Sequence, residues 1–188
     1  MDNPILRRKI IAASLVVVTL FLVVAIIFIV GGVRNDAGND AGEKAAGLEM
    51  SSESLKDGVW QDAVASSGAG ENKSPQLSFG PVEGAACYVI YMFDETAQNW
   101  VHWYAETTET DLPAGANPGQ YKGPYPPKGS GDHTYTIWVY ALGDQFSPDK
   151  KDIKFDAPGL SGEKLLEKLS ARGSVLGYGT ISGTYSSD

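Results

Sequence analysis

Several kinds of residue are scarce in this chain, and each shortage narrows what it can do. One cysteine, Cys87, occurs in 188 residues. No internal disulfide can therefore form, and the residue is expected as a buried thiol within a strand. With no cysteine after the first apolar run, a lipoprotein anchor has no acceptor. Histidine occurs twice, as His102 and His133, and neither has a carboxylate at the short spacing that a two-histidine, one-carboxylate metal site draws on. The Gly-x-Ser-x-Gly form of a nucleophile elbow is missing, and no internal repeat is visible. Basic residues are in the minority, 15 against 23 acidic ones, for a net charge of −8.

What is present begins with one long apolar run, Ile10 to Val30, interrupted only by Ser14 and Thr19. As a helix its roughly 21 residues would extend about 31 Å, enough to cross a bilayer. A cleaved signal peptide would have a shorter core ending at small residues, whereas this run leads into Gly31-Gly32-Val33-Arg34. Arg7, Arg8 and Lys9 precede the run, and Asp36 and Asp40 follow it, which places the N-terminus in the cytoplasm. The expected organisation is a cytoplasmic N-terminus (1–9), a transmembrane anchor (10–31), a flexible linker (32–47) rich in Gly, Ala, Asn and Asp, and an extracytoplasmic domain (48–188). The segment through Arg34 carries +3, so the overall −8 leaves −11 on the remainder. Such a domain is poorly suited to nucleic acid, which is not expected as a partner.

Strand signals dominate that domain. Cys87–Phe93, Trp100–Ala105 and Thr134–Leu142 are rich in aromatic and β-branched residues, and Gly179–Tyr185 closes the sequence. One helix is expected from Ser161, a capping residue, to Leu169, with Leu165, Leu166 and Leu169 on one face. The fold class is mainly β, two packed antiparallel sheets with one or two short helices. Alternation puts His102 with Trp100 and Tyr104 on one face and Val101 with Trp103 on the other. It also puts His133 and Tyr135 on a face with Ile137 and Val139.

Gly123-Pro124-Tyr125-Pro126-Pro127-Lys128-Gly129-Ser130-Gly131-Asp132 is a loop stiffened by proline and turned by glycine, and it delivers His133 onto a strand. If the strands are neighbours, Asp94, His102 and His133 converge. A carboxylate and two imidazoles suit three chemistries: a metal site, nucleophilic catalysis with a serine such as Ser130, or recognition of a phosphate- or carboxylate-sized anion. Both histidines as satisfied polar residues at a sheet edge is the plain structural alternative.

Five segments, NKSPQLSF (72–79), YMFDETAQNWVHW (91–103), LPAGANPG (112–119), YKGPYPPKGSGDHTYTIWVYAL (121–142) and GTISGTY (179–185), occur in an order that resembles the phosphatidylethanolamine-binding protein family. The resemblance covers about residues 48–188 and is to its bacterial, Raf-kinase-inhibitor-like branch. It implies a β fold of two antiparallel sheets with a small anion pocket. Carried over by motif, the pocket residues are Asp94, His102, Pro126, Pro127, His133 and Tyr135, with Tyr125 at the mouth, where many bacterial members carry a small or sulfur-containing residue. The chain departs from the family where Asp-Pro-Asp-x-Pro becomes Asp94-Glu95-Thr96-Ala97-Gln98 and where the arginine after the histidine becomes Thr134. An acid and a base have gone together, as expected of a pair, so Thr96 and Thr134 are expected close together. The resulting expectation is reversible binding of a small anionic ligand, without a cofactor or metal. A hydrolase using the histidines with Asp94, and a protein-interaction or inhibitor module, remain the alternatives. The residues identify no protein partner.

Overall fold

In a computed structural model, residues 46–145, 154–173 and 175–187 are described. The expected anchor and nearly all of the expected linker lie outside them. Among the described residues, no helix is long and apolar enough to cross a membrane.

The large sheet is built on three long strands that the sequence marks by their aromatic and β-branched runs: β6 (Cys87–Asp94), β7 (Trp100–Thr107) and β10 (His133–Leu142). They join β3 (Leu55–Lys56), β4 (Val59–Trp60), β9 (Gln120–Tyr121) and β11 (Val175–Tyr185) in the order β3-β4-β11-β10-β6-β7-β9. Strand β1 (Ala46–Gly47) pairs in parallel with β11, so strand structure starts just inside the expected linker. A small second sheet has the order β2 (Met50–Ser51), β5 (Leu77–Phe79), β8 (Asp111–Leu112).

Every residue of β6 is buried, because both faces of the large sheet are covered. Tyr88, Ile90 and Met92 pack with Trp103, Tyr135, Ile137 and Val139 against Leu77, Phe79 and Leu112 of the small sheet. Val89, Tyr91 and Phe93 pack with Val101, Trp138 and Tyr140 against Leu165 and Leu169 of α1 (Gly162–Ser170). Ser161 caps α1 as expected, its hydroxyl accepting from the N–H of Lys164 at 3.4 Å. Gly162 has to be glycine, since a Cβ there would stand 2.1 Å from the Trp138 ring. Cys87 is buried, and its thiol donates to the carbonyl of Asp144 at 3.4 Å.

One expectation about β7 fails. Val101 belongs to the helix-side cluster and Trp103 to the other, so they do not share a face. The cause is a bulge: Met92 pairs with Trp103 but Phe93 with Val101, leaving His102 as the extra residue. A bulge interrupts the period-two alternation on which the expectation rested.

Candidate functional site

The bulge turns the His102 ring toward the small-sheet side, where it meets the rings of Tyr135 and Tyr125, each with centroids 5.2 Å away. Its Nδ1 donates to the carbonyl of Lys122 at 2.8 Å, while the carbonyl of His102 accepts the N–H of Lys122 at 2.9 Å. A carbonyl can only accept, so the proton sits on Nδ1 and Nε2 carries the lone pair. Burial lowers the His102 pKa, against smaller upward pulls from the Lys122 carbonyl and Asp94. The neutral imidazole is favoured.

His133 opens β10, and Asp94 closes β6. Tyr135 pairs with Asp94 across the ladder, which puts His133 on the diagonal from it. The Nδ1 of His133 lies 2.7 Å from Asp94 Oδ2, with both residues buried. The second carboxylate oxygen accepts the N–H of Ala97 at 3.0 Å. On the far side of the ring, Nε2 is 3.0 Å from the hydroxyl of Ser130, which also lies 2.7 Å from the carbonyl of Pro127. Both nitrogens of His133 are thus engaged. Tyr135 is fully buried and its hydroxyl has no hydrogen-bond partner. Burial pushes its pKa far up, and Asp94 nearby adds to the rise, so it stays a neutral donor.

The proline loop is held from several sides. Ser66 bonds the carbonyls of Gly123 and Pro124, Asn72 accepts the N–H of Gly123 at 2.8 Å, and the Ser187 hydroxyl donates to the Pro126 carbonyl at 2.6 Å. A Cβ on Gly123 would lie 1.8 Å from the carbonyl oxygen of Val64, so the approach is open only to glycine. Pro126 is buried and Pro127 exposed, with Tyr125 partly buried between loop and His102.

Two residues near the site carried no signal in the sequence. Asp156, after β10, accepts from the Tyr125 hydroxyl at 2.6 Å, Lys122 Nζ at 2.8 Å and Trp100 Nε1 at 3.1 Å. Burial would raise its pKa, but these donors outweigh it and bring the carboxyl down to about 2. Lys122 in turn lies over the Tyr125 ring, 4.3 Å from its centroid. Neither the spacing nor the composition around Asp156 points back toward β7. Two short segments, 99–101 and 156–159, meet through backbone bonds and bring it there.

All seven expected site residues therefore lie in one region: Asp94, His102, His133 and Tyr135 in contact or a ring apart, with Tyr125, Pro126 and Pro127 on the loop beside them. Thr96 and Thr134 are also neighbours, the Thr96 hydroxyl accepting the backbone N–H of Thr134 at 3.0 Å. A separate cleft of about 310 Å³, lined by Ala86, Cys87, Glu106, Thr107, Thr108 and Gln145, opens at the other end of β6 from Asp94 and touches none of them. Among the described residues no cluster of His, Cys, Asp and Glu has the form of a metal site.

Two of the solved structures that share this fold are bacterial proteins. Escherichia coli YbcL, described as a new member of the mammalian PEBP family, is similar with a TM-score of 0.58 at 23% identity, over 75% of this chain and 99% of its own. A putative phosphatidylethanolamine-binding protein homologue from Chlamydia trachomatis, CT736, gives 0.57 at 23% identity, over 77% and 100%. No curated protein matches the chain. The sequence pattern of the phosphatidylethanolamine-binding proteins matches residues 51–186, most of the chain's length, and the chain belongs to that family.

Proposed function

We propose that this chain is a membrane-anchored domain, facing out of the cytoplasm, that binds a small anion bearing phosphate or carboxylate. The observation that carries the reading is the Tyr135 hydroxyl, fully buried and without a partner beside Asp94 and two histidine rings. A buried donor left unpaired costs about 1–3 kcal/mol, and a ligand oxygen placed there recovers it. Tyr135 donates to the anion, and His102 contributes Nε2 once that atom is protonated. His133 joins once its Nε2 is protonated and turns from Ser130 to the anion, while Asp94 fixes its ring and Pro126, Pro127 and Tyr125 form the wall. No cofactor enters, and no bond need break.

The test is titration with inorganic phosphate and phosphoethanolamine, followed by a crystal soaked in each. Binding is expected to weaken at least about tenfold in Tyr135→Phe and in His102→Ala, the loss of one hydrogen bond to a charged group. Density is expected between His102 and His133. Binding that survives both substitutions unchanged overturns the reading.

The placement rests on the apolar run Ile10 to Val30 with Arg7, Arg8 and Lys9 before it. It divides the chain at 1–9, 10–31, 32–47 and 48–188. Cell fractionation with external protease tests it. The chain should pellet with membranes and lose residues 48–188 to protease added outside the cytoplasmic membrane; recovery in a soluble fraction contradicts the anchor.

A further inference from the structure

We propose that Ser130, His133 and Asp94 form a nucleophilic triad able to hydrolyse short-chain carboxylic esters. Asp94 Oδ2 is 2.7 Å from His133 Nδ1, and His133 Nε2 is 3.0 Å from Ser130 Oγ. A base within hydrogen-bond reach of a hydroxyl, oriented by a buried carboxylate on its other nitrogen, is the arrangement that activates serine. The ionised carboxylate only accepts, so in the neutral ring the proton sits on Nδ1. Nε2 then offers its lone pair to the Ser130 hydroxyl. The Pro127 carbonyl accepts both the Ser130 hydroxyl at 2.7 Å and the Ser130 N–H at 3.0 Å, so the hydroxyl rotates its proton from Pro127 to His133 Nε2 before attack and the N–H bond stays to hold the turn.

The backbone sets the serine out for attack. Ser130 is exposed at the tip of a turn between Gly129 (φ 79°) and Gly131 (φ 82°), both left-handed. A Cβ on either glycine would meet nothing within 4 Å, so a substrate can approach from open space. The same openness leaves no deep slot for a long acyl chain, which is why the substrate class is short-chain. The N–H groups of Gly131 and Asp132 have no acceptor among the described residues and stand next along the chain from Oγ as candidate donors to an oxyanion.

In the reaction, Ser130 Oγ adds to the ester carbonyl carbon while its proton passes to His133 Nε2. Collapse of the tetrahedral adduct breaks the carbon–oxygen bond to the alcohol, which leaves with that proton. Water, deprotonated by the same nitrogen, attacks the acyl-serine and releases the carboxylic acid, restoring the serine hydroxyl. Asp94 acts through His133 as a positioning residue.

The full chain is treated with a fluorophosphonate, mapped by mass spectrometry, and assayed with 4-nitrophenyl acetate. The expected result is a covalent adduct on Ser130 and a fall in kcat/KM of at least about a hundredfold in Ser130→Ala. Asp94→Asn is expected to lower kcat with KM unchanged. An unlabelled Ser130 in the unmutated protein overturns the proposal whether or not the variants fold, as does a Ser130→Ala rate equal to that of the parent. The proposal shares His133 with the anion reading without resting on it. An absent adduct with intact phosphate binding removes the triad alone, and lost phosphate binding with the adduct present removes the anion reading alone.

Discussion

Replacing Asp94 by alanine leaves the buried His133 ring with its Nδ1–H facing no acceptor. Two interactions vanish: the bond to His133 at 2.7 Å and the bond from the Ala97 N–H at 3.0 Å. The His133 bond, made to a charged group, contributes about 1.5–3 kcal/mol, and the Ala97 N–H, which keeps the backbone carbonyl of residue 94 at 3.3 Å, adds about 0.5–1, so Asp94→Ala should cost about 2–4 kcal/mol. For a domain of this size that lowers Tm by roughly 6–15 °C. The His133→Ala cost should be similar. Because each single change strands the other partner, the double variant should be milder than the sum of the two, with a coupling of about 1.5–3 kcal/mol. Asp94→Asn keeps an oxygen in place to accept the ring N–H and should lose only about 1 kcal/mol. Urea denaturation of the four proteins of the cycle gives the coupling directly. If the two costs add to within about 0.5 kcal/mol, Asp94 and His133 do not act as a buried pair and the argument fails.

Three further outcomes follow from the same geometry. Since burial depresses the His102 pKa, its contribution to stability is full above the ordinary value of about 6.5 and is lost as pH falls from there toward the folded value. Binding has the opposite sign: affinity for sulfate, whose own charge is constant in this range, should rise as pH falls below about 6.5, and His102→Ala should flatten that part of the profile. Asp156→Asn removes a negative charge from beside Tyr125 and Lys122 and should tighten anion binding about twofold to fivefold, by titration calorimetry at low salt; weaker binding would show the carboxylate to be a support of the pocket. Gly162→Ala forces a methyl into the Trp138 ring and should cost about 1–3 kcal/mol in urea, so an unchanged midpoint would contradict the packing of α1 on β10.

The long strands were legible because their composition is extreme: β6, β7, β10 and the later part of β11 were each visible, as was α1 from its cap and leucine face. Strands β1 to β5, β8 and β9 have two or three residues each, too few to show any period. The candidate site residues were named by motif and lie in one region, and the closeness of Thr96 to Thr134 was legible from the paired loss of opposite charges. The contact that results is a hydroxyl on a backbone N–H and not one side chain on another, a detail set by local backbone course. The orientation of His102 was not legible, because it depends on a bulge, and a bulge is a property of the pair β6–β7. Asp156 was hidden for the same reason: its neighbours are distant in sequence, and its left-handed backbone (φ 54°) has no marker beyond residue type. Ser130 was visible as a candidate nucleophile, but turn formation explains Gly-Ser-Gly equally well, so its contact with His133 is a finding of the structure.

The pairing of β1 with β11 joins the first and last described strands of the large sheet, Ala46 beside Gly177 and Gly47 beside Tyr178. Closing so long a loop is entropically costly before its contacts repay it, and proteins rich in such distant contacts fold slowly. A ribosome that still holds β11 and the residues after it withholds a central neighbour of β10, the tyrosine opposite His133 and the serine that bonds the Pro126 carbonyl. The candidate site should therefore be acquired late and as a whole. Nascent chains stopped before residue 175 ought to be unfolded substrates for proteases, with no part-formed version of the site.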